Sequence, residues 1–426
     1  MLAYPRIFSV RQSFEAPRVE DIPATVETEL RRLQLSNRVK PGQTVAVTAG
    51  SRGVANIAIV LRAVVAHLKQ LGLQPFIVPA MGSHGGGTPA GQTELIAGYG
   101  VTEAFVGCPI RASMETVVVC QAAEGFPVHF DKNAFGADHV VVVNRVKPHT
   151  MFVGDVESGL MKMMLIGLGK HHGAKVYHRV IKTHSFGQIV RSVAREVLAK
   201  CRILCGVGIV ENAYDETAKI QAVAAEEFED RERELLVLAK AWLPRLPFQQ
   251  ADILLVDEIG KNISGTGMDT NVVGRKFNDH EPREFEWPKI KIIVVRSLTP
   301  ETHGNASGIG IAELCRTRVL EQRDREITNI NCETAGHFTA AMLPIDYPTD
   351  RKILDIALPA IGMIEPQHAR LMWIRNTLHL AELACSEVFY EEARQRPDLT
   401  ILSEPHELPF NEQGNLPDFV KNSAHS

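Results

Sequence analysis

Short β-branched runs alternate along the chain with longer stretches whose apolar residues recur every three or four positions. TVAVTAG (44–50), PFIVPAMG (75–82) and HVVVVNRVKPH (139–149) predict strands. Between the first two, Ile57, Val60, Leu61, Val64, Val65, Leu68 and Leu71 predict a helix over 55–71, with Gly72 as its stop. That order is βαβ and predicts a parallel sheet covered by helices. Further helices are expected over 187–200 and 224–242, after which Pro244 and Pro247 break the chain. ADILLVDEIG (251–260) and KIIVVRSL (291–298) then restart the strand pattern. The expected fold class is therefore α/β with two domains, 1–247 and 248–426, each a mostly parallel sheet flanked by helices. The polar, proline-containing segment after Pro405 reads as a loosely held tail.

Composition narrows the function classes. Hydrophobic residues make up 45% of the 426 and charged residues 23%, a globular mixture that argues against disorder or a fibrous repeat. Lys and Arg number 46 against 50 Asp and Glu, a net charge of −4 with no basic block, which argues against a nucleic-acid partner. No apolar run is long enough to span a bilayer, and the opening MLAYPRIFSVRQSFEAPRVED has no signal-peptide block, so no membrane association and a cytoplasmic location are expected. The seven cysteines are scattered without a C-x-x-C pair, as suits a reducing compartment. Cys201 and Cys205 are expected as core residues, neighbours on a helix.

Histidine is the residue that points to chemistry. Six of the sixteen (His139, His149, His171, His172, His178 and His184) fall within 46 residues, several times the density of an even spread. His149 closes a predicted strand, and His84 stands at the equivalent place in AMGSHGGGT. Ligands of α/β sheets bind beyond the carboxyl ends of strands. GSHGGGT (82–88) also offers a run of backbone N–H groups that can cradle a phosphate, although it matches neither the G-x-x-x-x-G-K-[ST] loop nor G-x-G-x-x-G.

In KPHTMFVGDVESGLMKMMLIGLGKHHGAKVYHR (147–179), the order His149, Lys162, His178, preceded by His84, resembles the nickel-dependent lactate racemase family, whose cofactor is the nickel-pincer nucleotide. The resemblance extends over both domains, with its specific motifs in the first. It implies His84 and His149 as catalytic acid and base, Lys162 as the lysine joined to the cofactor through a thioamide, and His178 as the nickel ligand. The interval from Lys162 to His178 is the family's; that from His149 to Lys162 is a few residues longer, with DVES inserted in effect. Arg52, in TAGSRG, resembles an arginine of the family's cofactor or substrate site, although Ala49 and Gly50 stand where an acidic residue is expected. With Gly85 and Gly86, Arg52 completes the expected cofactor-binding set. In DEIGKNISGTGMDTNVVGR (257–275), Lys261 resembles the family's substrate-facing lysine, and Glu258 stands where the family has glutamine. A carboxylate there would repel a second bare carboxylate yet accept hydrogen bonds from hydroxyl groups, with Asn262, Ser264, Asp269 and Asn271 as further polar partners.

The implied activity is racemisation or epimerisation of a 2-hydroxy acid, lactate-like or larger and more hydroxylated, in the cleft between domains. Removing a proton beside a carboxylate is costly, so hydride abstraction and return is the easier route. Histidine, with an ordinary pKa of ~6.5, can take and return the hydroxyl proton near neutrality. Imidazole also suits the one position that a three-point pincer leaves on square-planar nickel. His171 and His172 are then loop or supporting residues, and His139 and His184 structural. Two other readings compete. One is a zinc-dependent hydrolase drawing on His171, His172, His178 and Asp155 or Glu157, whose spacing matches no compact zinc motif. The other is a non-catalytic protein that binds a sugar acid or nucleotide.

Overall fold

A computed structural model describes residues 3–50, 53–181 and 183–419, without the side chain of residue 178. The strands are, in chain order, β1 (Ile7–Gln12), β2 (Thr44–Ala49), β3 (Gln74–Pro79), β4 (Thr116–Gln121), β5 (Pro127–Asp131), β6 (His139–Arg145), β7 (Ile203–Glu211) and β8 (Thr217–Ala224). There follow β9 (Gln250–Val256), β10 (Lys289–Val295), β11 (Leu314–Arg316), β12 (Ile345–Tyr347), β13 (Leu371–Ile374), β14 (Glu382–Ser386) and β15 (Leu399–Ile401). They divide between two compact units, residues 16–243 and residues 1–15 with 244–426.

The first unit holds a sheet in the order β3-β2-β6-β7-β8, parallel except for β8, and a separate β4-β5 hairpin. Its central strands read as unbroken apolar runs because both faces are covered. Val45, Val47, Val141 and Val143 face helices Ile22–Arg32 and Ile57–Gln70, while Ala46, Val140 and Val142 face Leu160, Leu165 and helix Phe186–Lys200. Full burial of one such side chain contributes about 1.5 to 3 kcal/mol. The sequence-predicted helices are present at Ile57–Gln70, Phe186–Lys200 and Phe228–Ala241. Cys201 and Cys205 are buried as expected but do not share a helix: Cys201 ends Phe186–Lys200 and Cys205 lies in β7. The turn needed at Arg202, with φ of 51°, separates them.

The second unit is an eight-stranded sheet, β12-β11-β10-β9-β13-β14-β1-β15, parallel from β12 to β13 and antiparallel beyond. Residues 1–15, grouped with the first domain in the sequence reading, belong to this unit because β1 fills the slot between β14 and β15. The described part of the segment after Pro405, residues 406–419, is held rather than loose. His406 exchanges backbone hydrogen bonds of 2.8 Å with Ile7, and Leu408 and Leu416 are buried. Arg296, fully buried, binds the Leu416 carbonyl at 2.8 Å, Asp350 at 2.9 Å, and Asp257, which in turn accepts the Phe419 N–H at 2.5 Å. No helix among the described residues is long and apolar enough to cross a membrane.

Arg296→Met should therefore leave Asp257 buried without its cation and Asp350 with only Arg316 at 3.4 Å, and lower stability by about 3 to 5 kcal/mol in urea denaturation. An unchanged unfolding midpoint would show that the tail is not anchored by this node.

Candidate active site

The chain runs from β2 to β3 on one side of the first sheet, and β6 lies on the other side of β2. The crevice beyond the carboxyl ends of β2 and β6 is thus the topological switch point, where doubly wound sheets bind ligands. Gly50, which follows β2, is close enough to its neighbours that a Cβ there would lie 3.3 Å from the Met163 methyl and 3.5 Å from Asn144 Oδ1. Asn144, near the end of β6, donates at 2.8 Å to the Gly159 carbonyl. The segment 159–167 is in this way drawn across the strand ends.

That segment carries Lys162. It is one helical turn, Leu160–Lys162, followed by a π-helical widening, Met163–Gly167, a form found often at functional sites. Met161, Met163, Met164 and Leu165 are buried in the core, and Lys162 is half-buried. The turn is anchored from below by Glu232 of helix Phe228–Ala241, whose fully buried carboxylate accepts the Met161 N–H at 2.8 Å. Gly159 admits it: a Cβ there would meet the Glu232 carboxyl carbon at 2.4 Å. Glu232 Oε1 has no hydrogen-bond partner among the described residues, and burial pushes the carboxyl up to about 7.

His84 approaches from β3. Gly82, at a φ of +60°, donates to the Gly167 carbonyl at 3.3 Å, joining the β3 exit to the segment of Lys162. Buried Gln92 donates to the carbonyls of Gly82 (3.1 Å) and His84 (3.2 Å), holding the half-buried His84 in place. Gly85, Gly86 and Gly87 all have φ near +65°, and Cβ atoms on Gly86 and Gly87 would meet only open space. Thr88 then caps helix Pro89–Ala97 by accepting from the Gly91 N–H at 3.1 Å. Beneath the loop, Lys170 is fully buried. It pairs with buried Asp131 at 3.0 Å, donates to the Pro79 carbonyl and reaches Gln92 Oε1 at 3.4 Å. Burial lowers the Lys170 pKa and raises that of Asp131.

His149 stands on an excursion from β6 that leaves at Lys147 and returns at Ser158, the two exchanging backbone hydrogen bonds of 2.9 and 3.3 Å. Its ring lies 4.4 Å from that of Phe152, which stacks on Phe186 at 4.1 Å. Return at Ser158 leads directly into Gly159 and the turn of Lys162.

In the second unit, β9 has β10 on one side and β13 on the other, a second switch point. Glu258, after β9, accepts from Arg375 Nε (3.1 Å) and Asn376 Nδ2 (2.8 Å), which follow β13. Lys261 donates from its backbone to Thr302 at 3.0 Å and from its ammonium to the Gly265 carbonyl. Of the polar residues expected to serve a ligand here, Asp269 caps the short helix Thr270–Val273 by accepting the Asn271 N–H at 2.9 Å, and Asn262 accepts from Thr299 at 2.6 Å.

Residues 7–188 match the family described as the lactate racemase N-terminal domain. No curated protein sequence matches the chain. Among solved structures it is similar to the lactate racemase apoprotein from Thermoanaerobacterium thermosaccharolyticum, with 14% identity and a TM-score of 0.55 over 86% of this chain and 94% of that one, a likeness of fold.

Within the matched region, the loop of His84 and the segment of Lys162 are in contact, and the excursion of His149 feeds into that segment. Arg52 and the side chain of His178 lie outside the described residues; the His178 backbone belongs to helix Lys170–Val180. His139 is at the opposite end of β6, bonded to Gln43 at 3.0 Å, and His184 contacts Thr183. No group of three metal-ligating side chains occurs among the described residues. Sequence reasoning missed Gln92, Asp131, Glu232 and the structural use of Lys170. Their polar or charged types, in stretches such as FEDRERE (228–234), read as solvated faces.

The raised Glu232 pKa has a sign that can be tested. Between about 4.5 and about 7 the folded protein keeps a proton that the unfolded chain has released, so this group's contribution to stability falls as pH rises through that window. Wild type should lose up to about 3 kcal/mol relative to Glu232→Gln across it, read from urea unfolding at several pH values. A pH-independent difference would show that Glu232 is ionised throughout.

Proposed function

We propose that the protein is a cytoplasmic racemase or epimerase of a 2-hydroxy acid, with His84 and His149 as its acid–base pair. The observation that carries this reading is the meeting of the His84 loop with the segment of Lys162 at the β2/β6 switch point, inside the region that matches the lactate racemase N-terminal domain. A nickel-pincer nucleotide fits the residues present. Gly86 and Gly87 leave open space above a turn of left-handed glycines, lysine and imidazole donors are the right chemistry, and Lys162 stands on a turn anchored at its start. Lys162 would hold the group covalently, His178 would ligate nickel, and Arg52, Gly85 and Gly86 would line it. When bound, it supplies the acceptor and donor of hydride.

The chain's own residues manage the proton and the orientation. One histidine takes the hydroxyl proton from the substrate oxygen as the α-carbon becomes planar. The other serves the mirror-image alcohol, each contributing about 10²- to 10⁴-fold. Lys261 and Glu258 would bind the substrate's carboxylate and hydroxyl groups.

Lys162→Ala should abolish covalent retention of the cofactor, and intact-mass spectrometry of denatured protein reads this directly. A cofactor-sized adduct on that variant would move the attachment to another lysine. His178→Ala should lose nickel in metal analysis. Full nickel occupancy would remove it from the ligand set. Single alanine variants of His84 and His149 should lose racemisation in both directions, because an equilibrium cannot be abolished one way only. Each should retain oxidation of one enantiomer, and near-wild-type racemisation by both loaded variants would rule out the two-histidine mechanism.

A further inference from the structure

The excursion that carries His149 closes on a carboxylate. Glu157 has no solvent exposure, and its two oxygens each accept a backbone N–H from the loop, that of His149 at 2.7 Å and that of Gly154 at 3.2 Å. Lys240, from helix Phe228–Ala241, pairs with Glu157 at 2.6 Å and donates to the Gly154 carbonyl at 2.9 Å, so both ends of the loop are fastened to one pair of charges. Within the loop so held, the Met151 N–H points at His149 Nδ1, 3.0 Å away. A backbone N–H can only donate, so Nδ1 must be the unprotonated nitrogen. The neutral ring therefore carries its proton on Nε2.

We propose that Glu157 is a positioning residue for His149: by clamping the 149–154 loop with Lys240 it keeps the Met151 N–H against Nδ1 and so fixes both the direction and the tautomer of the ring. His149 in its neutral form thus presents an Nε2–H donor. In that state it meets a substrate oxygen as a hydrogen-bond donor, and it can take a proton on Nε2 only after its own proton has moved to Nδ1 and displaced the Met151 N–H. This deepens the reading of His149 as a site residue and rests on it for its meaning in turnover. The tautomer itself is a property of the protein without substrate.

The test uses the full-length protein labelled with 15N-histidine at about pH 8, above the ordinary imidazole range. The His149 resonances are identified by their loss in His149→Gln. Wild type should show an unprotonated Nδ1 and a protonated Nε2. Glu157→Gln and Lys240→Met, the latter at a partly exposed position and so tolerant of change, should each show the two tautomers mixing. Lys240→Arg should restore the wild-type pattern. With cofactor-loaded protein, Glu157→Gln should lower kcat by about 10- to 100-fold with KM little changed. A wild-type ring protonated on Nδ1, or folded Glu157→Gln and Lys240→Met variants with an unaltered His149 spectrum, would overturn the proposal. A wild type that has the expected tautomer but racemises no 2-hydroxy acid would instead overturn the proposed function and leave the clamp standing.

Discussion

The buried pair of Lys170 and Asp131 is the constraint around which the first unit's site is assembled. Neither side chain is exposed, and each would be expelled from the core without the other. Two ions taken from water gain little net stability from meeting, but losing one partner costs about 3 to 5 kcal/mol because the other is stranded. The pair gains its structural worth from what else the ammonium holds. It binds the Pro79 carbonyl at the end of β3 and reaches Gln92, which holds the carbonyls of Gly82 and His84. Asp131 ends β5, and its other oxygen accepts the Ala134 N–H at 2.8 Å. A strand exit, a hairpin and the helix that starts at Lys170 are thereby fixed to one point, and the loop of His84 inherits its position from it.

A second anchor comes from helix Phe228–Ala241, which acts on two site segments at once. Glu232 holds the start of the turn that carries Lys162, and Lys240, just over two turns further on, closes the excursion of His149. Between them Leu235, Leu236 and Ala239 pack on Val146 and Val210, so the helix is itself held to the strand ends. Displacing it would move both segments together. Under the proposed function, a cofactor-holding lysine and an acid–base histidine are better referred to one rigid element than to two.

What the sequence made legible follows from which signals are local. Apolar periodicity located the helix at 57–70 and the central strands, because in a sheet covered on both faces nearly every strand residue must be apolar. Histidines at strand ends marked His84 and His149 for the same reason that glycine-rich turns do, since both occur where the chain leaves the sheet. Long-range pairing left no such trace. Nothing in IFSVRQ shows that β1 joins the second sheet beside β14, and nothing after Pro405 shows that its carbonyls complete the shell of Arg296. Lys170 and Glu232 were equally hidden. A lysine or a glutamate in a helical stretch reads as a solvated face, and only the tertiary structure reveals that each is wholly buried. The four extra residues between His149 and Lys162 were read only as a change of interval, yet they include Glu157, the loop's clamp, and Asp155, bound to Arg191 at 2.6 Å and Arg233 at 2.9 Å.

The carboxylate at Glu258 bears on substrate chemistry through its neighbours. Taken from the sequence, it would repel an acid substrate. In the folded unit it lies against Arg375 at 3.1 Å and the Asn376 amide at 2.8 Å, so much of its charge is met before any ligand arrives. At an effective dielectric constant of ~20, opposite charges at such distances attract by several kcal/mol, comparable to the repulsion a second carboxylate would feel somewhat further away. Glu258 therefore does not by itself exclude an acid. With Oε1 committed to Arg375 and Asn376, Oε2 is the oxygen left to accept from a ligand hydroxyl. Under the proposed reading, that acceptor would serve acids that carry hydroxyl groups beyond the reacting one, which a bare short-chain acid lacks.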